Sequence, residues 1–248
     1  MASAINRFII TLDSDIYIKY LRKKGIQIGD NVKFYNPASN TIDLTRPYLI
    51  TIGDKVKITH GVAILTHGFD WCVLRECYKR PFGSAGKVAI GNNIFLGMNT
   101  IVLKGVSIGD NVIIGAGSVV TSDIPCNSVA AGNPAKVICS LEKYYEKRCA
   151  QELSEAAEKA KMILERLGRK PEPEDFKEFF YFFVARDVSA MKNRNIRRQV
   201  GDHMAEFMAT NPLFTSFDHF LKYCLDSGNL VDKQRKIQDD NLPGSQHD

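Results

Sequence analysis

Aliphatic residues return at every sixth position through the middle of the chain, and a glycine usually follows them. Five consecutive hexads begin at Ile90, Leu96, Val102, Ile108 and Ile114. An amphipathic helix would repeat at about 3.6 residues and a half-buried strand at about two, so neither accounts for this period. The pattern instead predicts a β solenoid, in which three short strands joined by sharp turns complete a coil of about 18 residues.

The solenoid makes specific predictions about packing. Ile90 should stack beneath Ile108, with the backbones of successive coils paired at a spacing of about 4.8 Å. The same register extends back through residues 52–64 and more loosely through residues 28–34. Two interruptions, at about residues 37–47 and 67–87, lack aliphatic residues six apart and should leave the solenoid as loops. Long loops on a rigid scaffold often carry chemistry, so residues 67–87 are the first place to look for a site.

The flanking segments have a helical pattern. Residues 13–24 predict a short helix, capped by Asp13 or Ser14 and stopped by Gly25, that covers the first coil. Residues 140–167 predict a longer helix, and aromatic residues continue beyond it at helical spacing, beginning with Phe176, Phe179, Phe180 and Phe183. The long helix should bury a stripe made of Leu141, Tyr145, Cys149, Leu153, Ala157, Ala160 and Leu164.

The predicted organisation is therefore a capping helix at 1–25, a solenoid domain at 26–139, a helical extension at 140–232 and a polar, disordered tail at 233–248.

Composition narrows the class of protein. The 248 residues carry a formal net charge of +5, which leaves room for an anionic ligand without calling for nucleic acid. No run of about 18 apolar residues and no signal-peptide pattern is present, so we expect a cytoplasmic protein without an integral membrane segment. The six cysteines show no paired CxxC spacing, which favours reduced thiols over a metal site or a disulfide framework.

The hexads, together with VVTSDIP at residues 119–125 and AAGNPAKVI at residues 130–138, resemble the hexapeptide-repeat acyltransferases. The similarity covers about residues 26–138 and is greatest to the galactoside, maltose and polysaccharide O-acetyltransferases. It implies a left-handed parallel β-helix. The hand comes from the resemblance, because general crossover physics favours the right hand. It also implies a homotrimer with active sites between neighbouring solenoids, and acetyl-CoA as co-substrate.

Acetyl transfer from a thioester to a hydroxyl requires a base and hydrogen-bond donors for the developing oxyanion. The resemblance places the base at His67, where the chain leaves its coil, and the oxyanion donor at the backbone N–H of Met98, after Gly97. Met98 stands where some relatives have serine, so only the backbone role carries over. His60 competes as a base, but its position within a hexad indicates a residue on a solenoid face.

The transfer also requires a groove for the carrier. The family positions along the pantetheine arm fall on Ala116 and Thr121, and the cationic phosphate contact falls on Lys136. Two positions depart from the family pattern: Ser122 stands where relatives often have lysine, and Cys139 stands where a second arginine can occur. The predicted cofactor-binding set is Gly97, Ala116, Thr121 and Lys136.

Residues for an acceptor are expected in the loop that follows His67. Asp70 could orient His67 or hold a sugar hydroxyl, and Trp71 offers a flat apolar face on which a sugar can stack. Either residue could simply anchor the loop. The earlier loop, with Asn40 and Asp43, is a weaker acceptor candidate.

These features predict an acetyl-CoA-dependent O-acetyltransferase that acts on a hydroxyl of a sugar or polysaccharide. Two alternatives stay open: an N-acetyltransferase for an amino sugar or a xenobiotic, and a non-catalytic scaffold in glycan assembly. The scaffold would dock on a polysaccharide-assembly complex, on an acidic membrane surface or, as the weakest alternative, on RNA. The docking residues would be basic ones near the aromatic face of the helical extension, namely Arg186, Lys192, Arg194, Arg197 and Arg198.

Overall fold

The computed structural model describes residues 13–226, and the chain divides into two compact units at residue 145. Residues 1–12 and the predicted tail at 233–248 lie outside the described residues. The first unit begins with helix α1 (Ser14–Lys24), capped at Asp13 and ended at Gly25 as predicted. Short strands follow: β1 (Gln27–Ile28), β2 (Lys33–Phe34), β3 (Thr41–Ile42), β4 (Ile50–Ile52), β5 (Lys57–Ile58), β6 (Ala63–Ile64), β7 (Val88–Ile90), β8 (Ile94–Leu96), β9 (Ile101–Val102), β10 (Ser107–Ile108), β11 (Val112–Ile114), β12 (Val119–Val120), β13 (Ser128–Gly132) and β14 (Ala135–Ser140).

The strands form three sheets that the chain visits in rotation. Sheet I is β1-β4-β7-β10, sheet II is β2-β5-β8-β11-β13-β14, and sheet III is β3-β6-β9-β12. The pairing is parallel except between β13 and β14. Ile108 lies opposite Ile90, as predicted, and Val120 lies opposite Val102. The hexads therefore predicted both the strands and their register.

The core of this unit is built from inward-facing aliphatic side chains that stack in columns along each sheet. Burial of such side chains supplies most of the stabilisation, since each contributes about 1.5–3 kcal/mol relative to an exposed position. The fully regular coils give Ile52, Ile90 and Ile108 in sheet I, Ile58, Leu96 and Ile114 in sheet II, and Ile64, Val102 and Val120 in sheet III, all of them buried.

The glycines that follow the aliphatic residues allow the coils to approach closely. A Cβ atom on Gly53 would lie 2.6 Å from the carbonyl oxygen of Gly91 in the next coil. The left-handed turn conformation is taken two residues later, by Lys55 and Asn93, with φ of 57° and 55°. Glycine is therefore required at Gly53 by the spacing between coils, not by the turn itself.

The first predicted loop is only partly a loop. Strand β3 lies inside it, Ile42 is buried, and β3 pairs with β6 so that Ile42 lies opposite Ile64. The extra residues of this coil are divided between the two sides of β3. This is why no aliphatic spacing of six could be followed there.

The second predicted loop does leave the sheets. Ile52 pairs with Ile90, 38 positions further along, whereas a regular coil advances by 18. The inserted segment contains helix α2 (Trp71–Tyr78), which buries none of its residues. A hydrogen bond of 2.9 Å from the Gly86 N–H to the Thr66 carbonyl closes its base.

The second unit contains most of helix α3 (Leu141–Leu167), followed by α4 (Val188–Lys192), α5 (Arg194–Val200), α6 (Met204–Met208) and α7 (Phe217–Asp226). The predicted stripe on α3 is partly wrong, because Tyr145 and Leu164 are exposed. The predicted positions advance by four residues at almost every step, so they drift off one face of a helix of 3.6 residues per turn. The buried face consists of Leu153, Ala156, Ala157, Ala160 and Ile163.

The aromatic segment after α3 does not form the predicted helix. Residues Pro173–Phe176 and Phe180–Phe182 form short 3₁₀ turns instead. Five buried phenylalanines within eight positions cannot share one helix face, and the turns direct them into cores within the same unit. Phe220 of α7 packs there, with its ring centroid 5.1 Å from that of Phe176.

One basic residue of the predicted docking surface is structural. The Arg186 guanidinium donates to the carbonyls of Tyr181 (2.9 Å) and Val184, and lies 4.0 Å from the centroid of the Phe207 ring. Burial lowers its pKa. Arg186 therefore does not belong to that surface, whereas the other four basic residues are exposed.

Candidate active site

His67 lies beside Asp43, which belongs to the preceding coil. Asp43 directly follows β3, and Thr66 and His67 follow β6 after one residue. Because Ile42 and Ile64 are register partners, Asp43 and His67 come to the same corner of the solenoid in successive coils. The Asp43 N–H donates to the carbonyl of Ile64 at 3.0 Å, which fixes the two segments together.

The Asp43 carboxylate is fully engaged. Its Oδ2 atom lies 2.6 Å from His67 Nδ1 and also accepts from the N–H of Thr66, at 3.1 Å, and from the Thr66 hydroxyl. Its Oδ1 atom accepts from the N–H of Thr45 at 2.9 Å and from the Thr45 hydroxyl at 2.6 Å. Only 3% of the Asp43 side chain is exposed, compared with 36% for His67.

The charge state of Asp43 follows from these contacts. Burial by itself raises the pKa of the carboxyl group, but the hydrogen bonds from Thr45, Thr66 and His67 outweigh it and hold the pKa well below its usual range. An ionised Asp43 favours the tautomer of His67 that carries its proton on Nδ1. No residue between 13 and 226 bonds to Nε2, so this atom can accept a proton.

The loop after His67 presents an aromatic pair. Trp71 is half-buried and packs edge-on against the exposed Phe69, with ring centroids 4.7 Å apart. The guanidinium carbon of Arg75 lies 5.5 Å from the centroid of the Trp71 ring. Asp70 stands at the N-terminus of α2. The sequence left two roles open for Asp70, to orient His67 or to hold a sugar hydroxyl. Asp43, not Asp70, orients His67.

The Met98 amide lies in a tight turn between β8 and β9. The N–H of Gly97 donates to the carbonyl of Ile114 at 2.9 Å, and the N–H of Asn99 donates to the carbonyl of His60 at 2.8 Å. Within the described part of the chain the Met98 N–H has no acceptor. The turn therefore leaves one backbone donor available at the predicted position, although the turns of neighbouring coils do the same at His60 and Ala116.

The predicted site residues do not all come together within one chain. His67 and Thr121 follow strands of sheet III, at the corner between sheets III and I. Met98 and Ala116 precede strands of sheet III, at the corner between sheets II and III. The two corners lie at opposite ends of these strands, on the order of 15 Å apart. Lys136 is exposed on β14, at the end of sheet II.

Asp43, only a weaker acceptor candidate from the sequence, is the residue that contacts His67. It directly follows the core residue Ile42, much as His67 follows Ile64 after two residues, so a correct register would have placed them side by side. The 22 positions between Ile42 and Ile64 concealed that register, since a regular coil has 18.

Between residues 13 and 226, no three histidine, cysteine, aspartate or glutamate side chains group as metal ligands would. None of the helices in this range combines the length and the apolarity needed to span a bilayer.

Comparison with known proteins identifies the class. The family described as bacterial transferase hexapeptide (six repeats) matches residues 87–122. CapG of Staphylococcus aureus is 46% identical over 51% of this chain and 73% of its own length. Galactoside O-acetyltransferase of Escherichia coli is 38% identical over 54% of this chain and 64% of its own. The crystal structure of a maltose O-acetyltransferase from Clostridium difficile is 33% identical, covering 51% of this chain and 75% of that one, with a TM-score of 0.36.

The chain belongs to the hexapeptide-repeat transferases. It is an enzyme of the acyltransferase class. The similarity is confined to about half of the chain, so it does not identify an acceptor.

Proposed function

We propose that the protein is an acetyl-CoA-dependent O-acetyltransferase that acetylates a hydroxyl group of a sugar or polysaccharide. The observation that carries the proposal is the contact of His67 with the buried, ionised Asp43. This contact leaves Nε2 of His67 as a base at the protein surface. A purely structural scaffold has no evident use for such an oriented base. The cytoplasmic location stays a prediction from the sequence.

In the proposed mechanism, Nε2 of His67 takes the proton of the acceptor hydroxyl as its oxygen attacks the acyl carbon. Asp43 stabilises the positive charge that develops on the imidazole. The N–H of Met98 donates to the negative charge that develops on the acyl oxygen. His67 then returns the proton to the departing sulfur. Acetyl-CoA supplies the thioester for this chemistry.

The corner between sheets II and III suits a long, thin ligand. A Cβ on Gly97 would lie 2.5 Å from the Ala116 nitrogen, so successive coils are in close contact there. A Cβ on Gly117 would meet no atom within 4 Å, so the surface above Ala116 is open. We assign the pantetheine arm to this strip and a phosphate to Lys136. Thr121 lies at the other corner, so its contact with the arm would come from a neighbouring copy of the chain.

A homotrimer would complete the site. Because His67 and the Met98 amide lie at different corners of one chain, a site that uses both requires a second copy of the chain. Threefold symmetry would repeat this contact three times. We further propose that the three sheets close into a left-handed parallel β-helix, which the rotation of strands among the sheets supports.

The test is an acceptor screen with acetyl-CoA and detection of the released thiol. Wild-type protein should release thiol in the presence of some hydroxylated glycans. His67→Ala should lower that rate by about a hundredfold or more, the usual scale for loss of a general base. His203→Ala, at an exposed histidine of the second unit, is the matched control and should retain the wild-type rate. Full turnover by His67→Ala would refute the mechanism.

A further inference from the structure

His60 occupies the same turn position as Met98 and Ala116 in successive coils. Ala63, Ile101 and Val119 are register partners in sheet III, and each of the three residues lies three positions earlier. The Asn99 N–H donates to the His60 carbonyl at 2.8 Å, and the Gly117 N–H donates to the Met98 carbonyl at 2.7 Å. The three residues therefore form a column, in steps of about 4.8 Å.

The proposed donor contacts lie at one end of this column. Met98, Ala116, Thr121 and Lys136 all belong to the coil of Met98 or to later ones, so the acyl carrier would extend from Met98 in that direction. The opposite end of the column is left for the acceptor. His60 is the next residue at that end. It belongs to the same coil as His67, since the two histidines flank β6.

One nitrogen of the His60 ring is hydrogen-bonded to the side-chain amide of Asn36. Asn36 Nδ2 lies 3.1 Å from His60 Nδ1. An amide NH₂ group only donates, so Nδ1 accepts and the ring proton resides on Nε2. His60 is exposed, and among residues 13–226 Nε2 has no acceptor. The main chain at Asn36 is held in place, because the backbone carbonyl of Asn36 accepts from the Ser39 hydroxyl and from the side-chain amide of Asn40.

We propose that His60 recognises the acceptor, with Nε2–H donating to an oxygen of the sugar next to the hydroxyl that is acetylated. The partner subunit's His67 would supply the base for the same acceptor. This inference rests on the proposed function and names its substrate class. A donor at this position pairs with a neutral hydroxyl or ether oxygen, and it opposes an ammonium group, which has no lone pair to accept with. The site would therefore prefer a neutral polyol to a protonated amino sugar.

The experiment compares His60→Leu, which removes the donor, with His60→Gln, whose amide supplies an N–H in a similar place. His203→Gln is the matched control. The measured quantity is kcat/KM for the best acceptor found in the screen, at saturating acetyl-CoA. His60→Leu should lower it about five- to tenfold, the effect of losing one hydrogen bond between neutral groups. His60→Gln should stay within about threefold of wild type, and His203→Gln should equal it.

A panel of monodeoxy acceptors separates recognition from a structural effect. For one of the deoxy acceptors, kcat/KM of the wild-type protein should fall by the same factor as it falls in His60→Leu with the full acceptor. In His60→Leu, the full acceptor and this deoxy acceptor should have equal kcat/KM. Full activity of His60→Leu, or an equal loss on every deoxy acceptor, would overturn the inference. Two results would overturn the proposed function itself. One is that none of the hydroxylated acceptors causes the wild-type protein to release thiol. The other is that thiol release is equally fast when His67 is replaced.

Discussion

Replacement of Asp43 by asparagine removes the charge behind His67 while keeping the size of the side chain. The carboxylate accepts hydrogen bonds from two donors on Oδ1, and on Oδ2 from Thr66 and His67. Asparagine has one oxygen and one NH₂ group. Whichever way its amide turns, the NH₂ group faces donors that then lack an acceptor. If the NH₂ group faces His67, it favours the tautomer with the proton on Nε2, which cannot act as the base.

Two effects of Asp43→Asn can be given magnitudes. Leaving one or two buried donors without an acceptor should lower the free energy of unfolding by about 1–3 kcal/mol. Loss of the correct tautomer and of the charge opposite the imidazolium should lower kcat by about 10²- to 10⁴-fold, a range bounded by general-base loss and by the corresponding change in serine proteases. The KM for acetyl-CoA should change little, since Asp43 is buried behind His67 and contacts none of the proposed carrier residues.

The pH dependence of stability adds a signature. The pKa of Asp43 is lowered in the folded protein, so its contribution to stability is present above the unfolded pKa of about 3.9 and is lost as pH falls towards the folded pKa. The difference in unfolding free energy between wild type and Asp43→Asn should therefore shrink below about pH 4.

Thiol release and thermal or urea unfolding measure these effects. Asp202→Asn, at an exposed aspartate of the second unit, is the control and should match wild type in both assays. Asp43→Asn with kcat within about threefold of wild type would refute the role given to this carboxylate.

Two other predictions concern the solenoid and the carrier. Gly53→Ala should lower the free energy of unfolding by about 1–3 kcal/mol in urea titrations, because its methyl group would press on Gly91. Gly83→Ala, where a Cβ meets nothing within 4 Å, should leave stability unchanged or slightly higher, and equal effects of the two would argue against coil spacing as the cause. Lys136→Ala should raise the KM for acetyl-CoA several-fold at low salt, with a smaller effect as salt screens the charge. An unchanged KM at low salt would exclude a phosphate contact.

The short strands and their register were predictable from sequence because the signal is repeated. Every coil presents aliphatic residues at the same three inward positions, and Ile90 and Ile108 are register partners as expected. The aromatic segment after α3 carries no such repetition. Its phenylalanines satisfy helical spacing by their density alone, and 3₁₀ turns bury more of them than one helix face could.

The site was less predictable than the fold for two physical reasons. The partner of His67 lies across an irregular coil, where the six-residue period gives no register, so Asp43 could be found only from the pairing of β3 with β6. The register does show that Met98 and Ala116 lie at one corner, but it says nothing of how two copies meet. A sequence prediction could therefore name His67 and Met98 without showing that they belong to different ends of sheet III.

The proposed mechanism requires the neutral imidazole of His67 to carry its proton on Nδ1, so that Nε2 is free to act as the base. Long-range ¹H–¹⁵N NMR of imidazole-labelled protein reads the tautomer at a pH where the ring is neutral. Comparison with His67→Ala assigns the signals. We expect a proton on Nδ1 and an unprotonated Nε2 in the wild-type protein, and we expect this preference to be lost in Asp43→Asn. A wild-type ring with its proton on Nε2 would contradict the assignment of His67 as the base.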